Sequence, residues 1–199
     1  MKALLITAHP IKESFSEAIS HTLTEALEAQ TISVTRNHLI EKGFNPVLKR
    51  EDFKGMQEGH LMKDVQDEQK LIKEHDLLVF NYPIWWFDRP AILKGWFDRV
   101  FTRGFAFDYD AQGPKGLLLN KKALVIQTTG GLKDMYLETG SNEVIQRTIS
   151  DGSLRFCGIQ LLSIKTWYGI PLLSDQERKN LLSEIKPWIQ EFLPRSHHD

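Results

Sequence analysis

The chain has 199 residues, 41% of them hydrophobic and 26% charged, and 25 Lys+Arg against 26 Asp+Glu leave a formal net charge of −1. One domain spanning residues 1–199 with a continuous core is expected at this length. The even charge balance excludes the dense positive surface that nucleic acid or an anionic membrane demands.

Cys157 is the only cysteine, so an internal disulfide and a thiolate-based zinc site are excluded, and a reducing compartment, the cytoplasm, is expected. The apolar run over residues 3–8 stops at His9-Pro10, too short for a secretory core. No run approaches the ~18 apolar residues of a membrane span.

In chain order, residues 3–8 predict a first strand. Phe15, Ala18, Ile19, Leu23 and Leu27 then recur at helical spacing behind a capping-box pattern, Ser14-Phe15-Ser16-Glu17. Residues 31–36 alternate as a more exposed strand, and 37–63 show weak periodicity, a long excursion from the scaffold. A polar amphipathic helix is predicted over 64–74 and a buried strand over 77–80. Pro90 opens a helix over 91–101, with Ile92, Leu93, Trp96, Phe97 and Val100 on one face. Residues 123–126 give a fourth strand, 143–156 a helix and 159–167 a fifth strand. A second capping box, Ser174-Asp175-Gln176-Glu177, opens a helix running to Leu193. Strands alternating with helices predict an α/β fold, an open, doubly wound parallel sheet with helices on both faces. Ligands of such sheets bind beyond the carboxyl ends of the strands, so function is sought after strands one, three and four.

The first of these segments, His9 to Ser16, leads into a helix N-terminus, where free N–H groups and the helix dipole attract anions. It contains no glycine, which rejects the dinucleotide fingerprint and the P-loop. It offers His9, Lys12, Ser14 and Ser16 instead, a set suited to phosphate or simply to a capped helix. The second segment carries Pro83, Ile84, Trp85, Trp86 and Phe87. Consecutive bulky aromatics cannot all face one core, so a flat ligand or a partner subunit is needed to cover them. The third, Gln127-Thr128-Thr129-Gly130-Gly131, offers hydroxyls and backbone N–H groups, although paired glycines alone are mostly a turn. A phosphate cradle, an aromatic wall and a strip of N–H donors together match what a flavin requires.

These residues resemble the NAD(P)H:quinone oxidoreductase (DT-diaphorase) family, of flavodoxin-like fold, in a short bacterial form. The matching segments are Ala8-His9 with Ser14-Phe15, Glu58 to Leu61, Pro83 to Phe87 with Pro90 to Phe97, Phe105 to Phe107, Thr128 to Gly131 with Met135-Tyr136, and Phe156 to Gly158. The resemblance implies a five-stranded sheet of order 2-1-3-4-5. It implies that His9, Ser14, Phe15 and Ser16 hold the phosphate side of the flavin. Pro83, Ile84, Trp85, Trp86 and Phe87 would line the isoalloxazine, with Thr128, Thr129, Gly130 and Gly131 at its edge. Tyr136, with Gly130 and Gly131, would be catalytic, and Phe105, Ala106 and Phe107 would contact substrate or nicotinamide. Arg178 matches an arginine near an adenosine phosphate, which favours FAD over FMN. The mammalian-type enzymes place a histidine six residues after the tyrosine; here that position is Asn142, which cannot take up a proton.

The expected activity is two-electron transfer from NADH or NADPH through flavin to a quinone-like acceptor. A two-fold homodimer with a shared active site is also implied. An electron carrier like flavodoxin is the alternative, as is an ancillary subunit of a membrane transporter. Cys157 is expected to be a buried structural thiol, His60 and His75 surface or packing residues, and His197-His198 a disordered tail.

Overall fold

In the computed structural model, which describes residues 1–193, every residue of the central strand is buried. The elements run β1 (Lys2–Thr7), α1 (Phe15–Glu28), β2 (Ser33–His38), α2 (Arg50–Glu58), α3 (Lys63–Glu74), β3 (Leu77–Pro83) and α4 (Ala91–Val100). There follow β4 (Phe107–Asp110), β5 (Gly113–Gly116), β6 (Lys122–Thr128), α5 (Lys133–Glu138), α6 (Ser141–Ile149), β7 (Gln160–Trp167), α7 (Asp175–Ser183) and α8 (Ile185–Phe192).

Five strands form one parallel sheet in the order β2-β1-β3-β6-β7. Counting sheet strands alone, that is the expected 2-1-3-4-5, because β4 and β5 pair only with each other as an antiparallel hairpin. Side chains alternate across the sheet. Leu5, Leu77, Val79, Leu124 and Ile126 pack with Ile19 and Leu23 of α1 and with Ile185, Trp188 and Ile189 of α8. Leu4, Ile6, Leu78, Phe80 and Val125 pack on the other face with Ile72, Leu93, Trp96, Ile145 and Ile149. Parallel strands covered on both faces need the continuous apolar runs that marked them in the sequence.

Several expectations are corrected. The excursion holds a helix, α2, whose polar sequence carries no apolar stripe. The helix expected over 143–156 ends at Ile149 and continues as a π turn, Ser150–Leu154, and a 3-10 turn, Arg155–Cys157. The C-terminal helix is two, divided at Glu184. Pro187 lacks the N–H that would bond the carbonyl of Ser183 four residues back. The first capping box is half-made, since Ser14 accepts from the Glu17 N–H while the Glu17 carboxylate turns to Arg36. The His197-His198 expectation lies outside the described residues.

Arg99 ties the excursion to the scaffold. Its buried guanidinium donates to Asp52 Oδ1 through Nη2 at 2.8 Å, to Asp64 Oδ2 through Nη1 at 2.5 Å, and to the Asn45 carbonyl at 2.7 Å. Burial works against the charged guanidinium, but the bonds to Asp64 and Asp52 outweigh it and raise its pKa. The Arg99 hydrogen bond holds the Asp64 carboxyl below its ordinary value, against the opposing effect of burial. Stabilisation from a lowered carboxylate pKa is complete above the unfolded value, near ~3.9, and is lost as pH falls through the folded one. Arg99→Ala leaves the buried Asp52 carboxylate without its cation, with only the Lys49 N–H at 2.8 Å, and is expected to cost about 3–5 kcal/mol in urea unfolding at neutral pH. The difference from wild type should shrink below about pH 4. A loss under 1 kcal/mol at pH 7 would show that the excursion is held some other way.

Candidate functional site

Because β1, β3 and β6 are parallel neighbours, the segments leaving their carboxyl ends emerge side by side. Between them lies a cleft of about 480 Å³. His9, Phe15 and Ser16 line it after β1, Pro83 to Trp86 after β3, and Thr128 to Gly131 with Tyr136 after β6. Ile170 and Pro171, past the end of β7, close one side.

Ser14 is the N-cap of α1, and its side chain accepts from Glu17 N at 3.3 Å. The N–H groups of Phe15 and Ser16 meet no acceptor among the described residues, the usual state of a first helical turn that awaits an anion. His9 Nδ1 lies 3.2 Å from the Ile11 N–H and 3.3 Å from the Ile11 carbonyl, so the backbone of Ile11 holds the ring in place. The His9 ring lies 6.0 Å from that of Trp85. Lys12 turns away to Glu41, 3.6 Å distant.

The aromatic loop is a tight turn. The Trp85 N–H donates to the Asp88 carbonyl at 2.9 Å and the Asp88 N–H to the Trp85 carbonyl at 3.1 Å. Its central residues carry positive φ, 52° at Trp86 and 60° at Phe87. Such turns favour Asn and Gly, and bulky side chains there cost roughly 1–2 kcal/mol each. Arg89 holds the loop down. Its buried guanidinium donates to Ser153 Oγ at 2.8 Å and to the Thr148 carbonyl at 3.0 Å, and lies 4.7 Å from the centre of the Phe97 ring. Trp86 is left 96% exposed.

In the third segment three carbonyls are spent and two N–H groups are not. Ile84 N donates to the Thr128 carbonyl at 2.7 Å, Ile170 N to that of Thr129 at 3.0 Å, and Gly169 N to that of Gly131 at 2.8 Å. The N–H groups of Gly130 and Gly131 donate to nothing among the described residues. A Cβ on Gly130 would stand in open space, whereas one on Gly131 would come within 2.7 Å of the Met135 methyl and 3.1 Å of the Tyr136 ring. Gly131 is therefore small so that Met135 and Tyr136 can pack against it.

Tyr136 is mostly buried between Phe87, at 5.4 Å, and Tyr168, at 5.7 Å between ring centres. Burial pushes its phenol pKa up, and neighbouring Tyr168 adds to this. Its hydroxyl has no partner among the described residues. Tyr168 donates its own hydroxyl to Asn142 Oδ1.

Other expected residues lie elsewhere. Phe87 backs Tyr136 without lining the cleft. Arg178 pairs with Asp175 at 2.7 Å and reaches the cleft only through the Ile170 carbonyl, 3.3 Å away. Ala106 is fully buried and has no surface for a substrate. Phe105 lies in a larger hollow of about 640 Å³ at the amino edge of the sheet, under Lys73. Phe107 lines a third hollow of about 350 Å³ with Phe156 and Cys157. The single chain brings none of these three to the cleft. Burial pushes the Cys157 thiol up to about 12, and His75 bridges Leu71 and Thr35 within the fold. The sequence reasoning missed Ile170, Pro171 and the anchor Arg89. The signal for the first two was the Gly169-Ile170-Pro171 turn following the fifth strand.

The Flavodoxin_2 family, described as a flavodoxin-like fold, matches residues 1–191. The chain belongs to this family. Within it, NAD(P)H dehydrogenase (quinone) 1 of Cavia porcellus is 38% identical over 96% of this chain and 77% of its own length. An uncharacterized NAD(P)H oxidoreductase of Haemophilus influenzae is 33% identical over 92% of this chain and 91% of its own. Among solved structures, NAD(P)H:quinone oxidoreductase from Methanothermobacter marburgensis superposes with a TM-score of 0.84 at 30% identity, covering 94% of this chain and 96% of that one. No helix among the described residues is long and apolar enough to cross a membrane.

The strained turn gives a direct test. Trp86→Gly removes an indole with few contacts and relieves a positive φ, so urea unfolding of the flavin-free protein should show unchanged stability or a gain of up to about 1 kcal/mol. A loss above 1 kcal/mol would mean that Trp86 holds the fold and is not kept for a ligand.

Proposed function

We propose that this Flavodoxin_2 member is a flavin-dependent NAD(P)H:quinone oxidoreductase. The observation that carries the reading is the pair of unspent N–H donors, Gly130 and Gly131, beside the free Tyr136 hydroxyl in an aromatic-walled cleft. The activities in the names of its relatives agree with it. A flavin fits the residues present. Free N–H groups of the first turn of α1, with the Ser16 hydroxyl and His9, suit its phosphate. Trp85 and Trp86 offer a stacking face, and the missing side chain at Gly130 leaves room for a ring edge.

Bound there, the flavin supplies a two-electron centre that takes hydride from NAD(P)H and passes it to a quinone. The chain's own part is positioning and electrostatics. The Gly130 and Gly131 N–H groups and Tyr136 Oη donate toward the edge that gains negative charge, helping most where that charge develops. The single cleft offers one slot for both substrates, so they enter in turn and the kinetics are ping-pong. The resemblance at Arg178, which here pairs with Asp175 outside the cleft, favours FAD, with FMN the alternative. Trp86, Leu132 and Met135 stand uncovered near the cleft, as expected of a surface closed by a second copy. That two-fold dimer would complete the active site, and the lone buried thiol suits the cytoplasm.

The raised phenol pKa keeps Tyr136 protonated, and so able to donate, from neutral pH past its ordinary value of about 10. Asn142 has no proton to gain. Stopped-flow reduction of the flavin-loaded protein by NADH and NADPH, with benzoquinone as acceptor, should therefore show no inflection near pH ~6.5 that depends on position 142, the profile being unchanged in Asn142→Ala. Tyr136→Phe should slow flavin reduction roughly tenfold to a few hundredfold, the worth of one hydrogen bond to developing charge. Equal rates for the two proteins would remove Tyr136 from the mechanism.

A further inference from the structure

Asn81 is a fully buried amide in the most apolar strand of the sheet. It follows Leu77 and Val79 on the face that packs against α1, two residues before Pro83 of the cleft, and stands level with Thr7 and Ile126. Its Nδ2 donates to the Ser16 carbonyl at 2.7 Å and to Ser20 Oγ at 2.8 Å. Ser20 Oγ spends its own hydrogen on the same Ser16 carbonyl, at 3.1 Å. Both partners of the amide are therefore acceptors, which fixes its orientation. Both Nδ2 hydrogens are used, and Oδ1 is buried with no partner.

A buried acceptor left unpaired destabilises a fold, and an apolar side chain of similar size would avoid the cost. What the amide does instead is peg the first turn of α1 to the centre of the sheet. Fixing the Ser16 carbonyl fixes a peptide plane of that turn. It thereby sets the height of the unspent Phe15 and Ser16 N–H groups relative to Pro83 and the aromatic loop, which continue from the strand that carries Asn81. We propose that Asn81 is a positioning residue whose bond to Ser16 sets the chain's grip on the phosphate-bearing end of a bound flavin. The inference rests on the reading of the cleft given above.

Asn81→Leu tests it. The substitution keeps most of the volume and removes the unpaired oxygen. It strands nothing, because Ser20 Oγ still donates to the Ser16 carbonyl. Its urea midpoint should equal or exceed that of wild type. Its dissociation constant for FMN should rise at least tenfold, while that for riboflavin, which lacks the phosphate, should move less than twofold. Asn81→Ala, which avoids any clash from the longer side chain, should show the same split between the two flavins. If the FMN-to-riboflavin affinity ratio is that of wild type in both variants, the inference is overturned and the cleft reading stands. A wild-type protein that takes up neither FMN, FAD nor riboflavin overturns both.

Discussion

Parallel hydrogen bonding among β1, β3 and β6 is the constraint from which the site follows. Strands that run the same way release their chains at the same edge, so segments separated by more than a hundred residues meet in one cleft without further arrangement. The same geometry demands cover on both faces. This is why β3 is apolar from Leu77 to Phe80 and why two layers of helices are wound around it. The helices hold the sheet, and the sheet places the loops.

Unsatisfied and strained groups gather at that edge, with a second pair, Thr31 at φ 62° and the unpartnered Gln30 Oε1, in the turn between α1 and β2. Trp86 and Phe87 hold backbone angles that suit glycine, the N–H groups of Gly130 and Gly131 meet no acceptor among the described residues, and Asn81 buries a bare oxygen just beneath. The buried carboxylate of Glu68, remote from the cleft, is the opposite case: it takes hydrogen bonds from Asn37, Trp96 and Lys42. A chain that can satisfy a buried charge so fully is not short of donors. Strain and free valence persist where the surroundings enforce them, at the cleft through Arg89 and the Asn81 peg, and ligand sites are among such places.

The strands were legible because burial on both faces writes itself as unbroken apolar runs, as in 77–80 and 123–126. The three segments of the cleft were legible because glycine pairs, an aromatic triplet and a capped helix are conspicuous immediately after such runs. The helix Arg50–Glu58 was not, because its contacts are ionic, through Asp52 to Arg99, and leave no periodic apolar mark. Nor was the hairpin of β4 and β5, whose strands are four residues each with none buried. Phe105, Ala106 and Phe107 look alike as a tripeptide, yet the chain sends them to the amino edge, the core and a separate hollow. Only the fold distinguishes them. Ile170 and Pro171 escaped because the fifth strand's exit is closed by ordinary packing residues with no polar signature.

The central claim is that the loops leaving β1, β3 and β6 together form a flavin cleft walled by Trp86. Equilibrium titration of the flavin-free protein with FAD and FMN, followed by quenching of flavin fluorescence, tests it most directly. The account predicts saturation at one flavin per chain, strong quenching by stacking on the indole, and much weaker binding by Trp86→Ala. Failure to bind either flavin, or binding as tight in Trp86→Ala as in wild type, would contradict it.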